Sequence, residues 1–402
     1  MWTKTIAVSL LACLISVLAA AQADYTVTDL GPLSPAGINS WAQVVGNYDN
    51  QAYVWAFGRL RSLGRLSGGT FSTATSINDL GVVTGIADGP FTIIPPSDSG
   101  YSNQNCTNLP QPFVWTQKKG IQGLGTIIAS LPLSLGDYEF WCEIQFEARS
   151  INIFDQIVGD GGRYSTYAWG FSWKSSTGMT AFGGTWPPTF INGINNKGEV
   201  VGQNSGPAED STGSSVSTIY LGHATSWTNA VPTDLGTLGG ASDLGYPYGY
   251  SSSANGVNDL GQVVGYSTTT PIEAGYEDFG GWDGQAPIDA LLWSASGTMT
   301  DLGTLPGDTF ASASKINLFG QVIGSSGNAA TPGCIEDPCG VVGRPFLWTQ
   351  RSGMRDLNTL IPPNSGWVLN TATDINIWGQ IVGSGTHHGQ VHGFLLTPRF
   401  LW

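Results

Sequence analysis

Val257-Asn258-Asp259-Leu260-Gly261-Gln262-Val263-Val264-Gly265 is the cleanest copy of a phrase that returns seven times along the chain. The copies begin at Ile38, Ile77, Ile151, Ile194, Val257, Ile316 and Ile375. A recurring phrase at this spacing implies repeated supersecondary units, not one irregular domain. Within each copy a short apolar run ends in Ile-Asn or Val-Asn. A turn with Asn at its start and Gly near its end follows, where Asn bonds its own backbone and Gly takes positive φ. The Gln-Val-Val-Gly run is β-branched and short, so it reads as a second strand.

Working outward from the phrase, each unit holds four such segments, here a, b, c and d. Segment a ends in Ile-Asn and b is the Val-Val-Gly run. Segment c ends in an aromatic: Trp55, Trp115, Trp173, Trp227, Trp293 and Trp348, with Phe394-Leu395-Leu396 in the last copy. Segment d carries Asp-Leu-Gly or a relative, as in Asp234-Leu235-Gly236, Asp301-Leu302-Gly303 and Asp356-Leu357-Asn358. No helical period appears after the first residues. The expected fold is all-β: a seven-bladed β-propeller with four antiparallel strands per blade. Tyr25-Thr26-Val27-Thr28-Asp29-Leu30-Gly31 is a d segment with no a, b or c before it, and the last copy lacks a d. The N-terminal strand is therefore expected to complete the last blade and remove a sheet edge.

Residues 1–23 are expected to be a signal peptide. Lys4 precedes an apolar run from Ile6 to Leu18 and the small-x-small pattern Ala21-Gln22-Ala23. Residues 24–402 then form a single propeller domain, secreted or held in the periplasm or at the cell surface. The formal net charge of -14 gives no electrostatic case for nucleic acid or an anionic membrane. No later stretch has the roughly 20 apolar residues of a spanning helix. A monomer is expected, with no cofactor and no metal site. Cys106, Cys142, Cys334 and Cys339 remain after the signal segment, and an even count in an exported chain favours disulfides. Spacing alone allows three pairings. The repeat map favours Cys106 with Cys142, which share one blade's loops, and Cys334 with Cys339, which share one loop.

The chain resembles the HAF-repeat family of exported bacterial proteins, named for a His-Ala-Phe triplet. The triplet slot lies just before the aromatic of segment c. It reads His223-Ala224-Thr225 and His392-Gly393-Phe394 in the nearest copies, and Gln51-Ala52-Tyr53, Gln111-Pro112-Phe113, Trp169-Gly170-Phe171, Asp289-Ala290-Leu291 and Arg344-Pro345-Phe346 elsewhere. The resemblance implies secretion and a propeller-like repeat, and brings no catalytic residues.

Turn lengths divide the two faces of the expected propeller. The a–b and c–d turns are uniformly tight, so that face is expected to be plain. The long insertions fall in b–c and d–a connections, where binding usually lives. In the loop after segment b of the fifth copy, Tyr276, Trp282 and Asp283 offer stacking and hydrogen bonding to a sugar. His387 and His388 lie in the seventh copy's b–c loop and invite a metal or general-base reading. A structural hydrogen bond accounts for His392, which fills the triplet slot. Arg149, Lys315 and Asp374 place charge where segment a otherwise carries small residues, which marks a polar axial site. The competing account is a Lys315–Asp374 ion pair across a blade seam.

No nucleophile elbow, His-Glu-x-x-His, phosphate loop or dinucleotide fingerprint occurs. The leading expectation is a non-catalytic binder of an extracellular glycan or protein through the loop-rich face. An extracellular polysaccharide hydrolase or lyase acting at the axial channel mouth is the alternative, and a structural envelope protein is a third.

Overall fold

The structure, a computed structural model, describes residues 24–93, 104–124, 145–162, 168–182, 189–209, 215–239, 248–273, 287–328 and 342–399. The signal segment, the fifth-copy trio Tyr276, Trp282 and Asp283, and Cys142, Cys334 and Cys339 lie outside these residues. Both cysteine pairings therefore do too. Among the described residues the one helical element is a single 3-10 turn, Leu357–Thr359. No helix among them is long and apolar enough to cross a membrane.

The chain is all-β and β-propeller-like, built from successive four-stranded antiparallel sheets in the order a, b, c, d. The first is Ser34–Ile38, Val44–Tyr48, Gln51–Ala56 and Arg59–Gly64. The same order recurs from Ser72–Ile77 to Gly120–Gly123, from Gln145–Ile151 to Gly178–Phe182, and from Thr189–Ile194 to Val231–Asp234. Repeats 5 and 6 are joined in one larger sheet through a single parallel bridge, Ile288 with Phe310. In repeat 7, strand a is split into Trp367–Leu369 and Asp374–Ile375, followed by Ile381–His387 and Gln390–Pro398. The strand Tyr25–Asp29 lies antiparallel on that last one, with Tyr25 opposite Pro398 and Asp29 opposite Phe394.

Each part of the opening phrase has a physical cause. The turn residue before strand b has positive φ: 75° at Gly81, 78° at Gly261 and 73° at Gly320. Ala42 and Asp155 hold the same conformation at 58° and 56° without being glycine. The Gly that ends Val-Val-Gly serves close approach instead. A Cβ on Gly265 would sit 1.8 Å from the Ser253 carbonyl oxygen, and one on Gly159 would sit 1.9 Å from that of Glu147. Strand a bulges beside this point: the register skips Ala36, Thr75, Arg149, Asn192, Asn255 and Ser314 in repeats 1–6. At three of these positions the bulged side chain reaches the next repeat. Thr75 Oγ1 donates to Ala148 O at 2.8 Å, Asn192 Nδ2 to Ala254 O at 2.9 Å, and Asn255 Nδ2 to Ala313 O at 2.9 Å.

The motif Asn works in two directions. Asn258 Oδ1 accepts from Leu260 N and Gln262 N, both at 3.0 Å, which closes its own turn. Its Nδ2 donates to the Asn317 carbonyl of the next repeat and to Gln262 Oε1, both at 2.9 Å. The inter-repeat bond recurs from Asn39 to Asn78, Asn152, Asn195, Asn258, Asn317 and Asn376, at 2.9–3.2 Å. Asn376 Nδ2 in turn donates to Asn39 O at 3.0 Å. All seven of these side chains are buried, so every polar atom must be paired within the protein.

The apolar core lies between neighbouring sheets, not within one. Val45, Ala52 and Val54 of repeat 1 pack with Ala74, Ile77, Val83 and Phe113 of repeat 2. Val382 and Leu395 of repeat 7 pack with Leu33, Ile38 and Val44 of repeat 1. The aromatics of segment c fill these seams as their size suggests: Trp227 and Trp293 are fully enclosed. Trp293 Nε1 also donates to Leu235 O of the preceding repeat at 2.9 Å.

Candidate functional site

Two places depart from generic packing, one at each end of the strands. At the end formed by the a–b turns, a cavity of about 230 Å³ is lined by the residues around the motif Asn of every repeat. Its lining after each Asn reads Ser40, Asp79, Ile153, Asn196, Asp259, Leu318 and Ile377. The polar members are linked to one another. Ser40 N and Oγ donate to Asp79 at 2.8 and 2.9 Å, and Asn196 N and Nδ2 donate to Asp259, both at 2.8 Å.

This turn face is not plain, contrary to the expectation from its short connections. The residue two places after the motif Asn is large, apolar and exposed in six repeats: Trp41, Leu80, Phe154, Leu260, Phe319 and Trp378, with Lys197 in the remaining one. Trp41 is 68% and Trp378 56% exposed. Neither indole is loose. Trp41 Nε1 donates to Asp79 O at 3.0 Å and Trp378 Nε1 to Ser40 O at 2.9 Å. Each ring is thus laid across the neighbouring turn with its apolar surface left bare. Turn length, the only signal used for this face, does not report what the turn carries.

At the opposite end, repeat 7 gathers Asp29, His387, His392 and Trp367. His387 Nδ1 lies 3.1 Å from Asp29 Oδ2, and His392 Nδ1 lies 3.0 Å from both Asp29 oxygens. Gly31 N donates to Asp29 Oδ1 at 2.7 Å. Burial works against the charge on Asp29, but the Gly31 N–H and the two imidazoles outweigh it and hold the carboxyl below its ordinary range. Trp367 stacks on His387 with centroids 4.5 Å apart and planes 4° apart. His388 sits in the hairpin turn at φ 48° and leans on His387, centroids 4.2 Å apart.

The His392–Asp29 contact is one form of a pairing between the first triplet residue and the residue in the Asp position of segment d. His223 Nδ1 lies 2.9 Å from Asp234 Oδ2, Arg344 Nη1 donates to Asp356 at 3.3 Å, and Gln51 Nε2 donates to Ser62 Oγ. In repeat 5 the pair is Asp289 with Asp301, and burial together with the Asp301 charge pushes the Asp289 carboxyl up. Repeat 3 puts Trp169 in the slot, and its buried Nε1–H has no acceptor among the described residues.

The charged residues of segment a lie apart from both places. Arg149 holds Glu147 at 2.9 Å and Asp160 at 3.4 Å. Burial disfavours the Arg149 charge, and the two carboxylates more than restore it. Burial pushes the Asp160 carboxyl up, against the pull of Arg149 and of the N–H of Ile191, which it accepts from the next repeat at 3.0 Å. Asp374 accepts the N–H of Ile38 in repeat 1 and of Ile375, both at 2.9 Å. Burial raises its pKa, opposed first by the charge of Lys315. That charge acts at a distance: among the described residues the ion pairs within 4.0 Å do not include Lys315 with Asp374. None of Arg149, Lys315 and Asp374 lines the cavity at the a–b turn end, so no polar site of these three residues forms there.

No protein-family model and no curated protein matches the chain. Solved structures align over nearly its whole length. A streptogramin B lyase is 8% identical at a TM-score of 0.47, covering 94% of this chain and 100% of that one. A catalytically inactive virginiamycin B lyase from Staphylococcus aureus, bound to quinupristin, is 9% identical at 0.46, covering 92% and 99%. A putative gluconolactonase is 10% identical at 0.34, covering 95% of each chain. No activity is carried over from likenesses this distant.

Proposed function

We propose that the chain is a closed seven-bladed β-propeller, exported, that binds an extracellular glycan without turning it over. The seven motif Asn bonds, running from Asn39 round to Asn376 and back, support the blade count. The pairing of Tyr25–Asp29 with the last strand supports closure by the N-terminal segment. The apolar run from Ile6 to Leu18 ahead of a small-x-small pattern supports export.

The observation that carries the binding reading is the exposed Trp41 and Trp378, each one residue beyond a residue of the cavity lining, Ser40 and Ile377. A sugar ring offers an apolar face of C–H groups and a rim of hydroxyls. Two indoles pinned by their N–H groups, with bare faces, suit the first. Ser40, Asp79, Asn196 and Asp259 suit the second. Exposed apolar groups stand on six of the seven turns, next to polar residues of the cavity lining, a mixture that suits a glycan. This reading moves the ligand from the loop-rich face to the turn face.

The hydrolase alternative needs two carboxylates about 5–10 Å apart across a pocket. Asp79 and Asp259, the carboxylates in the axial lining, are each engaged by a neighbouring turn. The test is a glycan array run with a reducing-sugar release assay, using the wild type and Trp41→Ala/Trp378→Ala. Retention by the wild type, at least tenfold weaker in the double variant and without sugar release, is the expected result. Release that disappears on Asp79→Asn or Asp259→Asn overturns it in favour of an enzyme. No retention on any glycan favours the structural envelope protein.

A further inference from the structure

At the loop-rich end, the pairing of a triplet residue with a segment d residue involves two side chains in repeats 1 and 4. In repeat 4 His223 pairs with Asp234 and also bonds the Tyr250 backbone, with no second imidazole. Repeat 7 brings in a third group. Its b–c connection is a tight turn, with His388 at φ 48° and Gly389 at φ 82°, so His387 and Gln390 face each other directly. Gly385 is opposite His392, Gly383 is opposite Phe394, and Phe394 is opposite Asp29. Trp367 is opposite His387. Opposed residues and residues two apart share a face of the pleat. Trp367, His387, His392, Phe394 and Asp29 therefore project from the same side of one sheet.

We propose that Asp29, His387 and His392 form a binding site for a divalent transition-metal cation of the zinc type. One ligand atom from each residue lies within 4.8 Å of the others. Around a tetrahedral zinc with bonds of about 2.0–2.2 Å, ligand atoms stand about 3.3 Å apart. The observed 3.0–3.1 Å contacts between the imidazole Nδ1 atoms and the carboxylate are already close to that. Two imidazoles and one carboxylate suit zinc, nickel or copper, whereas calcium and magnesium call for oxygen ligands. Coordination through Nδ1 requires each ring to carry its proton on Nε2.

The frame around the donors is rigid. Trp367 lies flat against His387, Phe394 meets Trp367 edge-on with centroids 6.0 Å apart, and Gly31 N–H fixes one Asp29 oxygen. The donors are 21–37% exposed, so an ion has a path in from solvent and a fourth position remains for water or an external ligand. The sequence points to His387 and its neighbour His388 as candidate ligands but does not reveal Asp29, which stands 358 positions from His387. The site lies at the opposite end of the strands from the axial cavity and does not depend on the glycan reading.

The tag-free protein is titrated with Zn²⁺ against a chromophoric chelator, and separately with Co²⁺ followed by visible absorption. The wild type is expected to take up one equivalent and to show the absorption of a nitrogen- and oxygen-ligated Co²⁺. His387→Ala is expected to bind at least tenfold more weakly. His387→Phe, which keeps a ring against Trp367, is expected to do the same with circular dichroism unchanged. His223→Ala is expected to bind as the wild type does. A folded wild type that takes up no Zn²⁺, or a folded His387→Phe that binds as tightly as the wild type, overturns the site.

Discussion

Asn376 donates its side-chain amide to the main-chain carbonyl of Asn39, 3.0 Å away in space and 337 residues away in sequence. The same bond between neighbouring repeats is the strongest regularity in the molecule. It makes the motif Asn a fastener between sheets as well as a turn former. Replacing Asn258 with Ala leaves two turn N–H groups and the Asn317 carbonyl without their partner. Each buried unsatisfied group costs about 1–3 kcal/mol. Asn258→Ala is expected to lose roughly 3 kcal/mol or more in denaturant unfolding. Asn258→Asp keeps the turn acceptor but points a carboxylate at the Asn317 carbonyl and Gln262 Oε1. A loss of similar size in Asn258→Asp identifies the seam bond as the larger contributor. Full stability in Asn258→Asp shows that only the turn matters.

Gly265→Ala tests close approach without touching the turn. The added methyl group would meet the Ser253 carbonyl oxygen at 1.8 Å and the Ala254 Cα at 3.1 Å, both backbone. Strand separation would have to change, at a cost of about 1–3 kcal/mol or more. Thermal melting is expected to fall by several degrees. An unchanged melting temperature would show that the bulge absorbs the methyl.

Ala42 makes the opposite case. It holds φ 58° where five other repeats use glycine. A Cβ in the left-handed region costs about 1–2 kcal/mol, offset in part by glycine's greater freedom when unfolded. Ala42→Gly is expected to stabilise by up to about 1 kcal/mol, read from the denaturation midpoint. The equivalent change at Asp155 is expected to destabilise, because Asp155 Oδ1 accepts from Asn78 Nδ2 at 3.0 Å.

Acid sensitivity should concentrate at Asp88, a buried carboxyl that accepts from Thr70 N, Thr70 Oγ1 and Phe71 N at 2.7–2.8 Å. Burial opposes its charge, but those donors prevail and hold the carboxyl below its ordinary 3.8. Its contribution is therefore complete above the unfolded value and lost as pH falls through the folded one. Asp88→Asn is expected to lower stability at pH 7 and to flatten the fall between pH 5 and pH 2. A parallel fall in both proteins would place the acid sensitivity elsewhere.

His223 has the reverse sign. The hydrogen bond that His223 donates to Asp234 raises its pKa above 6.5, against the effect of burial. The pair stabilises fully below 6.5 and loses that contribution as pH rises through the folded value. With the side chains 35% and 60% exposed, solvent screening keeps the effect under about 1 kcal/mol. His223→Gln is expected to remove the alkaline part of the stability profile. A profile unchanged between pH 6 and pH 9 would show that the pair contributes nothing.

What each unit needs for itself was legible in the chain. The strands, the Asn-initiated turn, the left-handed glycine and the seam-filling Trp293 all follow from local pattern. What one unit takes from its neighbour was not. Asn192, Asn255 and Thr75 look like ordinary polar residues until the bulge turns them toward the next sheet. Asp374 breaks the pattern in sequence, yet its carboxylate takes up the Ile38 N–H, which lies 336 positions away. Trp41 and Trp378 stand on tight turns, and length alone says nothing about what a turn displays. Asp29 joins His387 and His392 only because the first strand lies against the last.

That last pairing also sets how the molecule responds to force. Tyr25 stands opposite Pro398, Arg399 N donates to Asp24 O at 2.8 Å, and the strands run antiparallel. Tethers attached before Asp24 and after Arg399 leave from the same edge. Tension between them loads the ladder one rung at a time, like a zip, instead of shearing all its bonds together. The segment would peel from Tyr25 toward Asp29, and the His387–His392 cluster would be the last part of that strand to let go.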